Sequence, residues 1–208
     1  MNTQSRLNIV STKNLAKTQL HLLNVIGSQR FLNNEGLNNE VPFHICPFEP
    51  KISNEMLQVI KQLTNELVDK GVSILEINLY DLVIETLKEE GDWEWLLENE
   101  LVTSSQNLKK ELQGILDIEE VLIPSIVKKM RVASFGVMFI TGVGEVFPYI
   151  RSHNILNNLQ RVAKEQPTLM FFPGRYEHSL VNGASLCLFD KLTDDRYYRA
   201  FNILDRAN

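Results

Sequence analysis

The stretch FGVMFITGVGEVFPYIRSHNILNNLQRVAKEQPTLMFFPGRY, Phe135 to Tyr176, decides the architecture of this chain. Its two apolar runs, FGVMFI at 135–140 and TLMFF at 168–172, show no polar alternation. Strands of that kind are covered on both faces, as in a parallel sheet. Between them, Ser152, Ile155, Leu156 and Leu159 recur at helical spacing within a segment from Ile150 to Ala163. Strand, helix and strand in that order predict a crossover unit that packs its helix on the sheet.

Working outward, SLCLF at 185–189 predicts a further strand. Toward the N-terminus, Val41 to Cys46 reads as a short strand closed by Pro47 and Pro50, because proline lacks a ladder donor and biases its predecessor to extended backbone. A helix follows, with Ser53 as its expected cap, Met56, Ile60, Leu63 and Leu67 as its apolar face, and Gly71 at its end. VSILEINL, starting at Val72, reads as a mostly buried strand. From Asp81 to Met130 the pattern is helical: Gly91 punctuates it, Asp92 is a candidate cap, Leu108, Leu112 and Ile115 share a face, and Pro124 suits a first turn. An amphipathic stretch from Leu15 to Ile26 precedes an Asn-rich loop.

Together these segments predict one domain over 1–208, with an N-terminal helical segment (about 1–40) and an acidic helical insertion (about 81–130). The expected class is a three-layer α/β domain with a mainly parallel sheet. In outline it is P-loop-NTPase-like or Rossmann-like, but it lacks a phosphate-binding loop.

Composition narrows the function classes. Hydrophobic residues make up 44% and charged residues 23%, which predicts a packed core rather than disorder. No signal-peptide pattern and no long apolar run appears, so a cytoplasmic protein without membrane contact is expected. Cys46 and Cys187 each sit in an apolar run and read as buried reduced thiols. Net charge is −5, yet unevenly placed. Glu85 to Glu120 holds eleven acids against three bases, whereas Lys128 to Asn208 holds eleven bases against seven acids. Such asymmetry suits a charged partner, though a solvated helical surface is the commoner cause of an acidic run. Direct DNA binding is not expected at a pI of about 5.5.

Candidate chemistry concentrates after the two buried strands, where open α/β sheets bind ligands. The loop TGVGEVFP at 141–148 has a Gly-x-Gly, but Phe147 stands where a dinucleotide fingerprint needs its third glycine. A tight turn is the simpler reading. No nucleotide-binding Gly-x-x-x-x-Gly-Lys loop occurs, the histidines His21, His44, His153 and His178 lack metal-ligand spacing, and neither Ser152 nor Ser179 sits in a nucleophile elbow. Catalytic, cofactor-binding and metal-binding residues are therefore all assigned as none. Arg151, His153 and Arg175 near strand ends would suit an anion, and a degenerate nucleotide-binding or phosphoester-hydrolysing site is the rival reading. Pairing of Arg151 and Arg175 with Glu145 and Glu177 is the structural alternative.

Trp93 and Trp95 cannot both face one core from a regular helix. Either one is exposed for a partner, or a loop or an irregular helix start buries both. The tail DDRYYRAFNILD interleaves Tyr197, Tyr198 and Phe201 with Arg196 and Arg199, and either docks on the body or meets a partner. The candidate interaction surface is Trp93, Trp95, Arg151, His153, Arg175, Tyr176, Tyr197, Tyr198 and Arg199.

GVGEVFPYIRSHNILNNLQ from Gly142, PTLMFFPGRY, LCLF and DDRYYRAF, with PFHICPFEP at 42–50 and GVSILEINLYDL at 71–82, together resemble the BrxB family of BREX bacteriophage-exclusion systems. Where the family is expected to carry glycine after the LCLF strand, this chain has Asp190. The resemblance implies a small protein with no catalytic residues to carry over, encoded beside a large ATPase, a PglZ-like protein of the alkaline-phosphatase class and a DNA methyltransferase. It implies an adaptor whose direct contacts are the PglZ-like protein and the ATPase, with the methyltransferase reached indirectly.

Overall fold

The computed structural model describes residues 9–35, 42–179, 183–195 and 200–206. Its centre is a parallel sheet built from the apolar runs. The strands are β1 (Phe43–Phe48), β2 (Ile74–Asn78), β3 (Val137–Thr141), β4 (Thr168–Ser179) and, further along the chain, β7 (Phe201–Asn202), in the spatial order β2-β3-β4-β1-β7. Every residue of β1 and β3 is buried, as their unbroken apolarity requires.

Side chains alternate between two covered faces. Cys46, Phe48, Val137, Phe139, Leu169 and Phe171 pack with α1 (Leu15–Ile26) and α3 (Ser53–Asp69). Ile45, Ile77, Met138, Ile140, Met170 and Phe172 pack with α4 (Leu79–Glu90), α7 (Ile123–Val132) and α8 (Ser152–Val162). In α8 the buried set is Ser152, Ile155, Leu156 and Leu159, the face expected from spacing. Each of its three aliphatic side chains contributes roughly 1.5–3 kcal/mol of burial. Between α4 and α7 lie α5 (Asp92–Asn99), α6 (Ser105–Ile115) and a π turn at Ile118–Leu122; α2 (Gln29–Leu32) follows α1.

β4 does two jobs. Thr168 to Pro173 pairs in parallel with β1, and Gly174 to Ser179 pairs antiparallel with β5 (Gly183–Leu188), which pairs in turn with β6 (Leu192–Asp195). The sheet therefore acquires an antiparallel wing where β4 outruns its parallel neighbours.

Four local expectations need correction. Pro47 does not close β1 but lies within it, opposite Phe172. Its carbonyl accepts from Val10 N at 2.9 Å on the side away from β4, beyond the point where β7 stops, so no ladder donor is needed there. Ser53 does not cap α3; its hydroxyl donates to Pro50 O at 2.7 Å, because a 3-10 turn at Pro50–Ile52 already starts the helix. Asp92 makes no cap bond either, since left-handed Gly91 occupies the cap position before α5. Finally, β2 is an edge strand in which only Ile77 is buried, because it pairs with β3 alone. Gly71 and Pro124 stand where expected, just beyond α3 and in the first turn of α7. Cys46 and Cys187 are free and buried.

Candidate functional site

The carboxyl ends of the parallel strands gather the loop after β3, the start of α8 and the antiparallel wing. Both glycines of the Gly-x-Gly answer to packing. Gly142 is left-handed at φ 72°, and a Cβ there would strike Asn78 Oδ1. At Gly144 a Cβ would come within 2.9 Å of the Phe189 ring and 3.0 Å of Pro173. Phe147 meets Phe189 edge-on, with ring centroids 6.3 Å apart, so this loop is clamped onto the wing.

Arg151 precedes α8 with its side chain exposed, Ser152 is buried and His153 is half-buried. Arg175 stands on the wing in β4. Its Nε donates to Asp190 Oδ1 at 3.1 Å, and Nη1 lies 3.7 Å from Glu177. Its charge is thus answered by two carboxylates. Asp190, at the position where glycine was expected, is left-handed at φ 59°, next to Phe189 at φ 55°. Lys191 N donates to Leu188 O at 3.1 Å, which closes a two-residue turn of the type that normally takes Asn-Gly.

Tyr176 was expected on the interaction surface but is buried. Its hydroxyl donates to Ala200 O at 2.6 Å, and burial pushes its pKa up to about 12. It fastens the C-terminal segment to β4. The same segment is held by β7 beside β1, by His21 Nε2 against Ile203 O at 3.2 Å, and by Arg206 at His44 and Glu35. The tail therefore docks on the body through residues 200–206. Tyr197, Tyr198 and Arg199 lie outside the described residues.

A second surface runs along α4 and the β2 edge. Asn78 ends β2 and caps α4, its Oδ1 accepting from Tyr80 N at 2.9 Å. Three grooves there share Glu85. One, about 310 Å³, follows the strand edge past Glu76, Ile77, Asn78 and Asp81. Another, about 430 Å³, is lined by Tyr80, Ile84 and Trp93. Tyr80 is 47% exposed, Trp93 is half-buried against the core, and Lys88 Nζ sits 5.2 Å from the centre of its ring. Trp95 is half-buried too, so neither ring is fully exposed and neither is fully buried. Lys129 pairs with Glu85 at 2.6 Å, and Lys128 with Glu89 at 3.4 Å.

Sequence reasoning missed Glu76, Tyr80, Asp81 and Glu85 as a group. One signal was available: a charge in the middle of the apolar run VSILEINL is out of place in a strand covered on both faces. Arg151, His153 and Arg175 share the carboxyl end of the sheet, whereas Trp93 and Trp95 belong to the α4–α5 surface. Among the described residues, no group of three or more His, Cys, Asp or Glu side chains could hold a metal ion, and no helix is long and apolar enough to cross a membrane.

Comparison with known proteins bears on the whole arrangement. The family model described as "BREX protein BrxB" matches residues 75–203. A BREX protein BrxB of Bacillus cereus (strain H3081.97) is 34% identical over 189 residues, covering 89% of this chain and 95% of that protein. Another, from Escherichia coli O9:H4 (strain HS), is 30% identical over 179 residues, covering 86% of each. No solved structure matches the chain significantly. The match takes in β3, α8, β4 and the wing on one side and α4 with its grooves on the other, and the chain belongs to the BrxB family of BREX proteins.

Proposed function

We propose that this protein serves BREX phage defence as a non-catalytic adaptor, holding the PglZ-like protein, the large BREX ATPase, or both. The observation that carries this reading is the run of neighbouring grooves along α4, which share Asp81 and Glu85. They are floored by Leu82 and Ile84, bordered by Tyr80 and Trp93, and rimmed by Glu76, Asp81 and Glu85. Aromatic anchors within a polar rim are the usual anatomy of a protein interface. In the helical insertion, Leu97, Leu101 and Val102 are 55%, 91% and 79% exposed, a further apolar surface available to a partner.

Residues of the loop after β3 and of the wing are engaged internally, which supports the same reading. Arg175 is held between Asp190 and Glu177, and the Gly-x-Gly is filled by neighbouring rings. A phosphate-gripping site would need that guanidinium to exchange both carboxylates for its ligand.

The test is a tagged pull-down from cells expressing the whole operon, at two salt concentrations, with mass spectrometry of the retained proteins. The adaptor should retain the PglZ-like protein or the ATPase, and Tyr80→Ala with Trp93→Ala should lower recovery at least about tenfold, the scale of one lost anchor. Recovery of the chain alone at both salt concentrations would remove the reading.

A further inference from the structure

Resting on the adaptor reading, we propose that the outer edge of β2 accepts a strand from a partner protein, and that the strand it accepts is basic. Among the described residues β2 pairs with β3 alone. Val137 N donates to Ser73 O at 3.2 Å. Because alternate residues of a strand face the same neighbour, Leu75 and Ile77 also turn their backbone groups toward β3. Ile74 and Glu76 therefore turn theirs outward, at the end of the sheet where no described strand follows. An edge of this kind is a template for an added strand, and extended segments are commonly captured in this way.

Charge identifies the occupant. Glu76 is exposed beside the edge and is held in place by Thr141, whose hydroxyl donates to Glu76 Oε1 at 2.8 Å. Asp81 and Glu85 line the same groove, so three carboxylates face one ammonium, that of Lys129, which Glu85 already engages. A neutral or acidic strand would leave those carboxylates unanswered. One with Lys or Arg at alternate positions would set its cations on the face that carries Glu76, while the apolar residues between them lay on the opposite face over Ile77 and Leu82. Native edges are often guarded by a charge against chance pairing. Here the guard itself selects a partner of opposite sign.

The test uses the full-length protein and two fluorescein-labelled octapeptides, one alternating Lys with Val and the other Glu with Val, followed by fluorescence anisotropy at low and physiological salt. The Lys peptide should bind and the Glu peptide should not. Glu76→Gln and Glu76→Pro have the same net charge, but only proline removes the outward N–H and places a ring in the path of an added strand. Binding should weaken a further tenfold or so from the Gln to the Pro variant, the effect of losing about 1.4 kcal/mol.

Circular dichroism establishes that each variant is folded. If the Pro variant is not, Glu76→Lys replaces it, and should abolish binding of the Lys peptide. Equal binding by folded Gln and Pro variants would show charge attraction without strand addition and overturn the proposal; equal binding by wild type and Glu76→Lys would show that the peptide does not meet this edge and overturn it too, as would no binding to wild type. In the operon pull-down the two readings separate. If Glu76→Pro retains partners as well as wild type does, the edge proposal falls and the adaptor stands; if wild type retains none, the adaptor reading falls first.

Discussion

Arg206 donates from Nη1 to His44 Nε2 at 2.7 Å, joining the last described residue of the chain to β1. His44 is fully buried in β1 between Phe31 and Phe201, whose rings lie 4.8 Å and 5.8 Å from its own. The guanidinium also sits 5.4 Å from the centre of Phe31 and donates to Glu35 O at 3.0 Å. An imidazole that accepts from arginine must be neutral at that nitrogen. Burial first, and the charge of Arg206 second, lower its pKa from 6.5 to about 3.

Arg206→Ala should destabilise the fold by about 1–3 kcal/mol, because it leaves a buried acceptor unsatisfied and uncovers Phe31. Urea unfolding monitored by tryptophan fluorescence measures this. A loss below about 0.5 kcal/mol would show that strand pairing and the Tyr176 bond to Ala200 hold the segment without the clamp.

Acid should destabilise the protein through His44. The unfolded chain takes up this proton near pH 6.5 and the folded one near 3, so the contribution is whole above pH 6.5 and is lost as pH falls toward 3, at up to about 1.4 kcal/mol per unit. His44→Gln keeps an acceptor for Arg206 but cannot titrate. Its stability measured between pH 4.5 and 7 should fall less steeply than that of wild type, and parallel profiles would contradict the assignment.

Gly174→Ala should cost roughly 3 kcal/mol or more. At φ 151° the backbone is one that side chains rarely adopt, and the new Cβ would run into the carbonyl of Cys187 across the β4–β5 ladder. Thermal unfolding reports the loss. The damage should be greatest in the wing, seen as faster amide exchange at 183–188 than in β3.

Asp190→Gly separates backbone strain from charge. Glycine relieves the left-handed conformation but removes the pair with Arg175 at 3.1 Å. In about 1 M salt, where the exposed pair is screened, the variant should gain about 0.5–1 kcal/mol, with a smaller gain in dilute buffer. A gain independent of salt would mean the pair contributes nothing.

Much of the fold was legible because burial and periodicity are local properties of sequence. FGVMFI and TLMFF became β3 and β4, and α1 spans Leu15–Ile26 as its pattern predicted. The apolar face of α8 needed no correction. Errors arose where a neighbour supplied what the local chain lacked: Val10 beside Pro47, the 3-10 turn before Ser53, and Ala200 taking up the Tyr176 hydroxyl. The candidate site was less legible, since Glu76, Asp81, Glu85 and Trp93 come together only because α4 folds back beside the strand it follows.

By itself the sequence determined the class, a mainly parallel α/β sheet with helices on both faces, and the family, whose signature runs through nearly the whole chain. These follow from which residues must leave water and at what period. Tertiary structure alone decided that β2 stands at an edge, that β4 changes partners at Gly174, and that the C-terminal segment closes over His44. Strand order, and with it the exposure of a backbone edge, depends on contacts between residues far apart in the chain, which no local pattern of hydrophobicity encodes.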